Sequence, residues 1–471
     1  MIEDFDDNLD ESVVPLIERF EEMLAKKAEY FFDVDEFEDI INFYLDGGDL
    51  KIAEIAINHA INQHPGSPVF MLKNAQLLAS GDKTEKALAI LRKVEDLEPE
   101  NGEVYLTRGA IYSKLKQHEQ AIAEFHKALL DSEELDEVYS TIAFEYEKLG
   151  DYDKAIENLG KALDHNPQSD GVINELAFCF EITDKLTESA EFFQKFTDNN
   201  PYSSYGWFNL GITYNNLELY EKAIEAYDFA ITIDEHFASA YFNKANAFAN
   251  SGKFERAIEV YKESLQYTEP EAITYYYIGE CYEKLENYDL AAENYEIAVR
   301  LDESLADAWV GLGMAYNELG QFKTAMMHVE KAIKIESSNP EYFNILGDIY
   351  QKLGLFDKAL NSYYNSAKLE PNDYEVWMDI AELHEDNNSI QDAIDALNEG
   401  ITQASLVSEL YFKLAELYVK NSELQEAYEA FALGLTNNPT DINSIMTDYP
   451  VFAQHFEFQQ LLNIYFENLN E

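Results

Sequence analysis

One interval governs this chain. Its only three tryptophans are Trp207, Trp309 and Trp377, separated by 102 and 68 residues, which are three and two times 34. Extending the same step in both directions lands on Phe37, Met71, Tyr105, Tyr139, Ile173, Tyr241, Tyr275, Phe343 and Tyr411, each large and apolar or aromatic. Sixteen residues beyond these twelve positions stand eleven alanines and Ser189. Pro65, Pro99, Pro167, Pro201, Pro371 and Pro439 keep the same interval. The register runs from Val34 to Asp441 without insertion and makes twelve repeats. Such a period is met by stacking copies of one small unit, because no copy can bury its apolar face alone.

Within a repeat the apolar pattern is helical twice. Trp207, Leu210, Gly211 and Tyr214 stand at i, i+3, i+4 and i+7, and Ala223, Tyr227 and Ala230 form a second stripe. A short break separates the two, often marked by Gly, as in "LGDYD" from Leu149 and "LGQFK" from Leu319. With Val34 as place 1 of the first repeat, small residues at places 8 and 20 let two antiparallel helices approach. Aromatics at place 4 fill the space between neighbouring pairs.

The arrangement W-x2-L-G-x2-Y…A-x3-Y/F-x2-A…P resembles the tetratricopeptide repeat, over residues 34–441. Departures are few: Ser189 replaces Ala in repeat 5, and His384 replaces the aromatic Tyr in repeat 11. Both suggest locally looser packing. The resemblance implies an all-α, right-handed superhelical solenoid of helix pairs, first helices lining a concave groove and second helices outside. Flanking the array, residues 1–33 form an acidic segment with one amphipathic stretch, "VVPLIERFEEML", expected to cap the first repeat, dock elsewhere or remain an arm. Residues 442–471 are expected to supply a capping helix after Tyr449-Pro450.

Charge narrows the partners. There are 91 acidic and 33 basic side chains, a formal net charge of -58. Such a surface repels nucleic acid and anionic membranes and attracts basic proteins in a salt-dependent way. Hydrophobic residues at 46% and aromatics at 14% argue for a folded core rather than acidic disorder. No apolar run reaches the ~18 residues of a membrane span, and the first residues lack a secretory pattern. The expectation is a cytoplasmic protein.

Catalytic chemistry is not legible. "GLGMAY" from Gly311 has Tyr316 where a third Gly is needed, and it lies within a helix. "DNNSIQD" from Asp386 lacks the Gly and the final Glu of a calcium loop. The nine histidines are scattered, and Cys179 and Cys281 sit three repeats apart, too far for a bridge. No enzyme, cofactor or metal site is expected.

The resemblance assigns the groove to places 2, 5, 6, 9, 12 and 13. In repeats 6 to 8 these places hold Tyr205, Phe208, Asn209, Asn215, Phe242, Asn243, Asn246, Tyr276 and Tyr277, the candidate contacts for an extended peptide. Aromatics offer area at low entropy cost, and Asn amides both donate and accept. Asn209 and Asn243 share place 6, as in the asparagine ladder by which some relatives grip peptide backbone. Asn209, Asn215 and Asn216 carry no packing duty by this pattern. Elsewhere the lining is acidic, with Glu137 and Glu147 in repeat 4 and Glu341, Asp348, Glu375, Asp379, Glu382, Glu385 and Asp386 in repeats 10 and 11. No repeat has Lys at place 5, so the basic clamp of chaperone-tail binders is missing. The leading expectation is a scaffold that binds a basic or neutral segment of another protein in the groove. The alternative is a chaperone-like acidic holder of basic proteins.

Overall fold

The computed structural model describes residues 13–81, 83–437 and 445–469. Residues 1–12 and 438–444, the latter holding Pro439 and the end of repeat 12 at Asp441, lie outside the described residues. The secondary structure described is helical, with no strand among the described residues. After a helix at Val14–Lys26 come twelve consecutive helix pairs, from Val34–Asp46 and Leu50–Gln63 to Ser408–Lys420 and Leu424–Thr436. The chain divides into two compact bodies, Met1–Glu235 and His236–Glu471.

The repeating places have distinct physical duties. All eleven alanines at place 20 are fully buried, because only a small side chain fits where the paired helices cross. Ser189 is buried as well, and its hydroxyl lies 2.9 Å from that of Thr213. The expected looseness there is therefore replaced by a buried polar pair. At place 4 the aromatic ring carries a polar handle. The indole N–H groups of Trp207, Trp309 and Trp377 donate to carbonyls six residues back, those of Pro201, Glu303 and Pro371, each at 3.0 Å. Tyr105 and Tyr411 make the same bond through their hydroxyls, to Pro99 and Ser405. Each bond fixes the turn between successive repeats, so the aromatic both fills space and satisfies a backbone acceptor.

In repeats 3, 6, 8 and 10 place 8 is Gly, because a ring from place 24 passes beneath it. A Cβ added at Gly211 would lie 2.5 Å from the Tyr227 ring, and one at Gly347 would lie 2.4 Å from that of Tyr363. The hydroxyls of these threaded tyrosines reach the first helix. Tyr363 donates to Asp348 at 2.6 Å, Tyr295 donates to Glu283 at 3.0 Å, and Tyr261 donates to Asn246.

Each described turn inside a pair closes through a left-handed residue at place 15. It is Gly48, Gly150, Gly252, Gly320 or Gly354 in five repeats, and Lys116, Asp184, Glu218, Glu286, Asn388 or Ser422 in six. The next amide then bonds back to the carbonyl at place 11, as in Leu219 to Tyr214 and Glu423 to Tyr418.

The first helices of successive repeats touch one another directly within each body, for example Asp170–Ile182 with Ser204–Asn216 and Ala272–Lys284 with Ala306–Glu318. Among the described residues, the second helices make no comparable contact. At the start, Ile17, Phe20 and Met23 of Val14–Lys26 are buried among Phe37, Ile40, Ile41 and Ala53 of the first pair. At the end, Phe452 and Phe458, the latter on Phe456–Leu469, pack on Phe431 at 4.8 and 4.9 Å.

Candidate functional site

The nine residues singled out for peptide contact fall in both bodies. Tyr205, Phe208, Asn209 and Asn215 belong to the first. Tyr205, Phe208 and Asn215 are partly buried on Ser204–Asn216, and the Phe208 ring lies 6.0 Å from that of Tyr227. Asn209 departs from expectation. It is only 4% exposed, and its amide N–H groups donate to Asn174 Oδ1 and to the Tyr205 carbonyl, both at 2.9 Å. It ties repeat 6 to repeat 5, a packing duty that the pattern of places did not disclose.

Phe242, Asn243, Asn246, Tyr276 and Tyr277 belong to the second body, on the first helices Ala238–Asn250 and Ala272–Lys284. The Tyr277 ring is 5.7 Å from Phe242, 5.3 Å from Tyr276 and 6.1 Å from Tyr261, parallel to the last within 6°. Tyr276 also approaches Tyr295 at 5.8 Å and donates to Glu280 at 2.8 Å. Asn243 donates to the Ser239 carbonyl at 2.9 Å, and with Phe242 and Ile273 it lines a cavity of about 170 Å³. Asn246 accepts from the Tyr261 hydroxyl. Burial raises the Glu280 carboxyl above the usual carboxylate range, Glu283 and Asp307 add to this, and the Tyr276 bond and Lys284 oppose it.

The profile of the tetratricopeptide repeat matches residues 102–130, 137–169 and 204–237, in register with repeats 3, 4 and 6. This is a tetratricopeptide-repeat protein. The profile of the Cilia and flagella-associated protein 70 C-terminal domain matches residues 233–442. No curated protein matches the sequence. Among solved structures, the C-terminal part of a tetratricopeptide-repeat protein from Cytophaga hutchinsonii is similar at 20% identity, over 50% of this chain and 98% of its own, with a TM-score of 0.43. The APC/C hetero-tetramer Cut9–Hcn1 is similar at 16% identity, over 88% of this chain and 99% of its own, with a TM-score of 0.40. YrrB, a repeat protein with an unusual peptide-binding site, is similar at 22% identity, over 40% of this chain and 96% of its own, with a TM-score of 0.34.

The acidic lining of these tetratricopeptide repeats is not uniform. In the first body, Glu147, Glu175 and Cys179 bring ligand atoms within 4.8 Å of one another, a constellation not anticipated from sequence. Burial and the apposed Glu175 push Glu147 up to about 7, and burial together with Glu147 pushes the Cys179 thiol up to about 12. In the second body, Asp379 is pushed up to about 7 by burial and by the charges of Asp348, Glu382, Asp373 and Glu375. Further along, Lys413 lies 3.0 Å from Glu385 and 3.2 Å from Glu416, and Lys420 lies 3.0 Å from Glu416.

Two other polar side chains lie inside the array. Arg108 takes place 7, where Leu is usual, and is 7% exposed between Glu95 and Glu124, each at 2.6 Å. His384 is 8% exposed against Phe356, with Nδ1 unpartnered among the described residues. Burial lowers its pKa, so the ring is neutral at pH 7. The expectation of looser packing at His384 is met by a closely covered ring. Among the described residues, no helix is long and apolar enough to cross a membrane.

Proposed function

We propose that this tetratricopeptide-repeat protein is a non-enzymatic scaffold that holds an extended, basic or neutral segment of another protein against its first helices. The observation that carries the reading is the gathering of half-buried Phe242, Tyr276 and Tyr277 beside Asn243 and a cavity of about 170 Å³. Rings supply contact area, and an adjacent amide supplies backbone hydrogen bonding, which is what an extended segment needs. Phe208 and Asn215 offer a smaller set of the same kind in the first body. The surplus of carboxylates favours a basic segment over an acidic one.

A salt series separates this reading from an acidic holder acting through charge over its whole surface. Captured partners and short labelled peptides are titrated against the full chain as salt rises to ~0.5 M, where screening reaches under ~5 Å. The groove reading expects residual binding that falls when Asn243 and Phe242 are both changed to Ala. Complete loss of binding with salt, whatever the variant, would return the function to the holder.

A further inference from the structure

We propose that repeats 8 and 9 hold a seat for a single arginine side chain of the bound segment, framed by Tyr276 and Tyr277 and closed by Glu280 and Asp307. The inference rests on the groove reading above and adds the side chain that the groove selects.

The argument starts from what these carboxylates lack. Glu280 receives a hydrogen bond from Tyr276, Asp307 from Tyr342, and Glu283 from Tyr295. All three donors are hydroxyls, and none of the three acids forms an ion pair among the described residues. Lys284 is exposed one turn beyond Glu280 and offsets only part of the negative charge, while Glu283 and Asp307 add to it. A carboxylate bonded to one hydroxyl keeps further lone pairs available. The Tyr276 hydroxyl joins the rings to Glu280 directly, at 2.8 Å, and the charge of Asp307 acts on both rings.

The rings decide which cation fits. Tyr276 and Tyr277 lie 5.3 Å apart at 66°, and both are half-buried, so each keeps open surface. A planar, weakly hydrated guanidinium stacks on such rings and donates to two carboxylates at once. An ammonium is a more strongly hydrated point charge and gains less from the rings. Tyr295 and Tyr261, from the second helices, lie against Tyr276 and Tyr277 at 5.8 and 6.1 Å and back the two rings.

The test uses the full chain and short labelled peptides that differ at one central residue: arginine, lysine or citrulline, the neutral isostere of arginine. Fluorescence anisotropy reads the affinities at near-physiological salt. The arginine peptide should bind ~tenfold tighter than the citrulline peptide. Glu280→Gln and Asp307→Asn, each checked by thermal melting, should remove that preference. Glu259→Gln, on a second helix and paired with Arg256, should leave it intact. If arginine and citrulline peptides bind equally well, the groove reading stands and the seat is overturned. A preference that survives both acid variants overturns it too. Lysine binding as tightly as arginine would overturn the stacking that favours guanidinium. No binding by any of the peptides would overturn the groove reading itself and the seat with it.

Discussion

Two stretches of the second body are both rich in carboxylates yet hold them differently. In repeats 11 and 12, Lys413 and Lys420 reach Glu385 and Glu416, and their charges hold the Glu385 carboxyl below its usual range. In repeats 8 to 10, tyrosine hydroxyls do the bonding, and the acids shift the other way: Glu280 and Glu283 are raised. Net charge alone hides this difference. An acid answered by lysine, as Glu385 is, offers little to a partner. A tyrosine-paired stretch retains unanswered negative charge, and the aromatic contacts cluster there.

The comparison breaks most visibly at Lys413. Its side chain is 11% exposed and lies among Glu382, Glu385 and Glu416. Lys413→Met keeps the stem and leaves three acids facing one another. The expected loss is ~3 kcal/mol, read as a lower midpoint in chemical denaturation of the second body. A loss under ~0.5 kcal/mol, the range of an exposed pair, would erase the distinction between the two stretches.

Asp379 shares a first helix with Glu385, yet no lysine answers it, and its carboxyl shifts the opposite way. Its folded pKa lies above the unfolded value, so its contribution is fully present below about pH 4 and is lost as pH rises through about 7. Asp379→Asn should therefore stabilise the protein at pH 8, on the order of 1–2 kcal/mol after allowance for screening. At pH 4 it should change little. Melting curves at the two pH values check this, and equal effects at both would show that Asp379 titrates normally. The same reasoning applied to Glu147→Gln predicts a gain in the first body, again at high pH only.

The sequence made the framework legible because the framework repeats. Trp207, Ala223 and Pro201 announce themselves through their counterparts at 34-residue steps, and their buried or bonded roles follow. What does not repeat was harder to see. Asn209 sits at a groove place, yet its partner Asn174 is 35 residues away, and only the crossing of adjacent first helices brings the two amides together. Arg108 left a signal, a charged residue at the leucine place, but Glu95 and Glu124 come from second helices of two different repeats. The threaded tyrosines explain why Asn246 and Asp348 are held in place, and nothing in a period says where a hydroxyl ends. Of the nine candidate contacts, five come together in the second body because consecutive first helices place them side by side. Their role in binding depends on a partner that no residue spacing encodes.

The smallest expected effect sharpens the comparison best, because it uses one backbone position as an internal standard. Glu286 (φ 55°) and Ser422 (φ 67°) occupy the left-handed place 15 of repeats 8 and 12. Either residue changed to Gly should gain ~0.5–1 kcal/mol, since glycine adopts this conformation without a Cβ penalty. Ser422→Gly changes backbone strain alone, in the stretch where lysines answer the acids. Glu286→Gly also removes a negative charge where none is answered, close enough to act on Tyr288. Its gain should exceed that of Ser422→Gly by a few tenths of a kcal/mol at low salt, and the excess should vanish as salt screens it. Equal gains at every salt concentration would mean that the acids of repeats 8 to 10 do not repel one another.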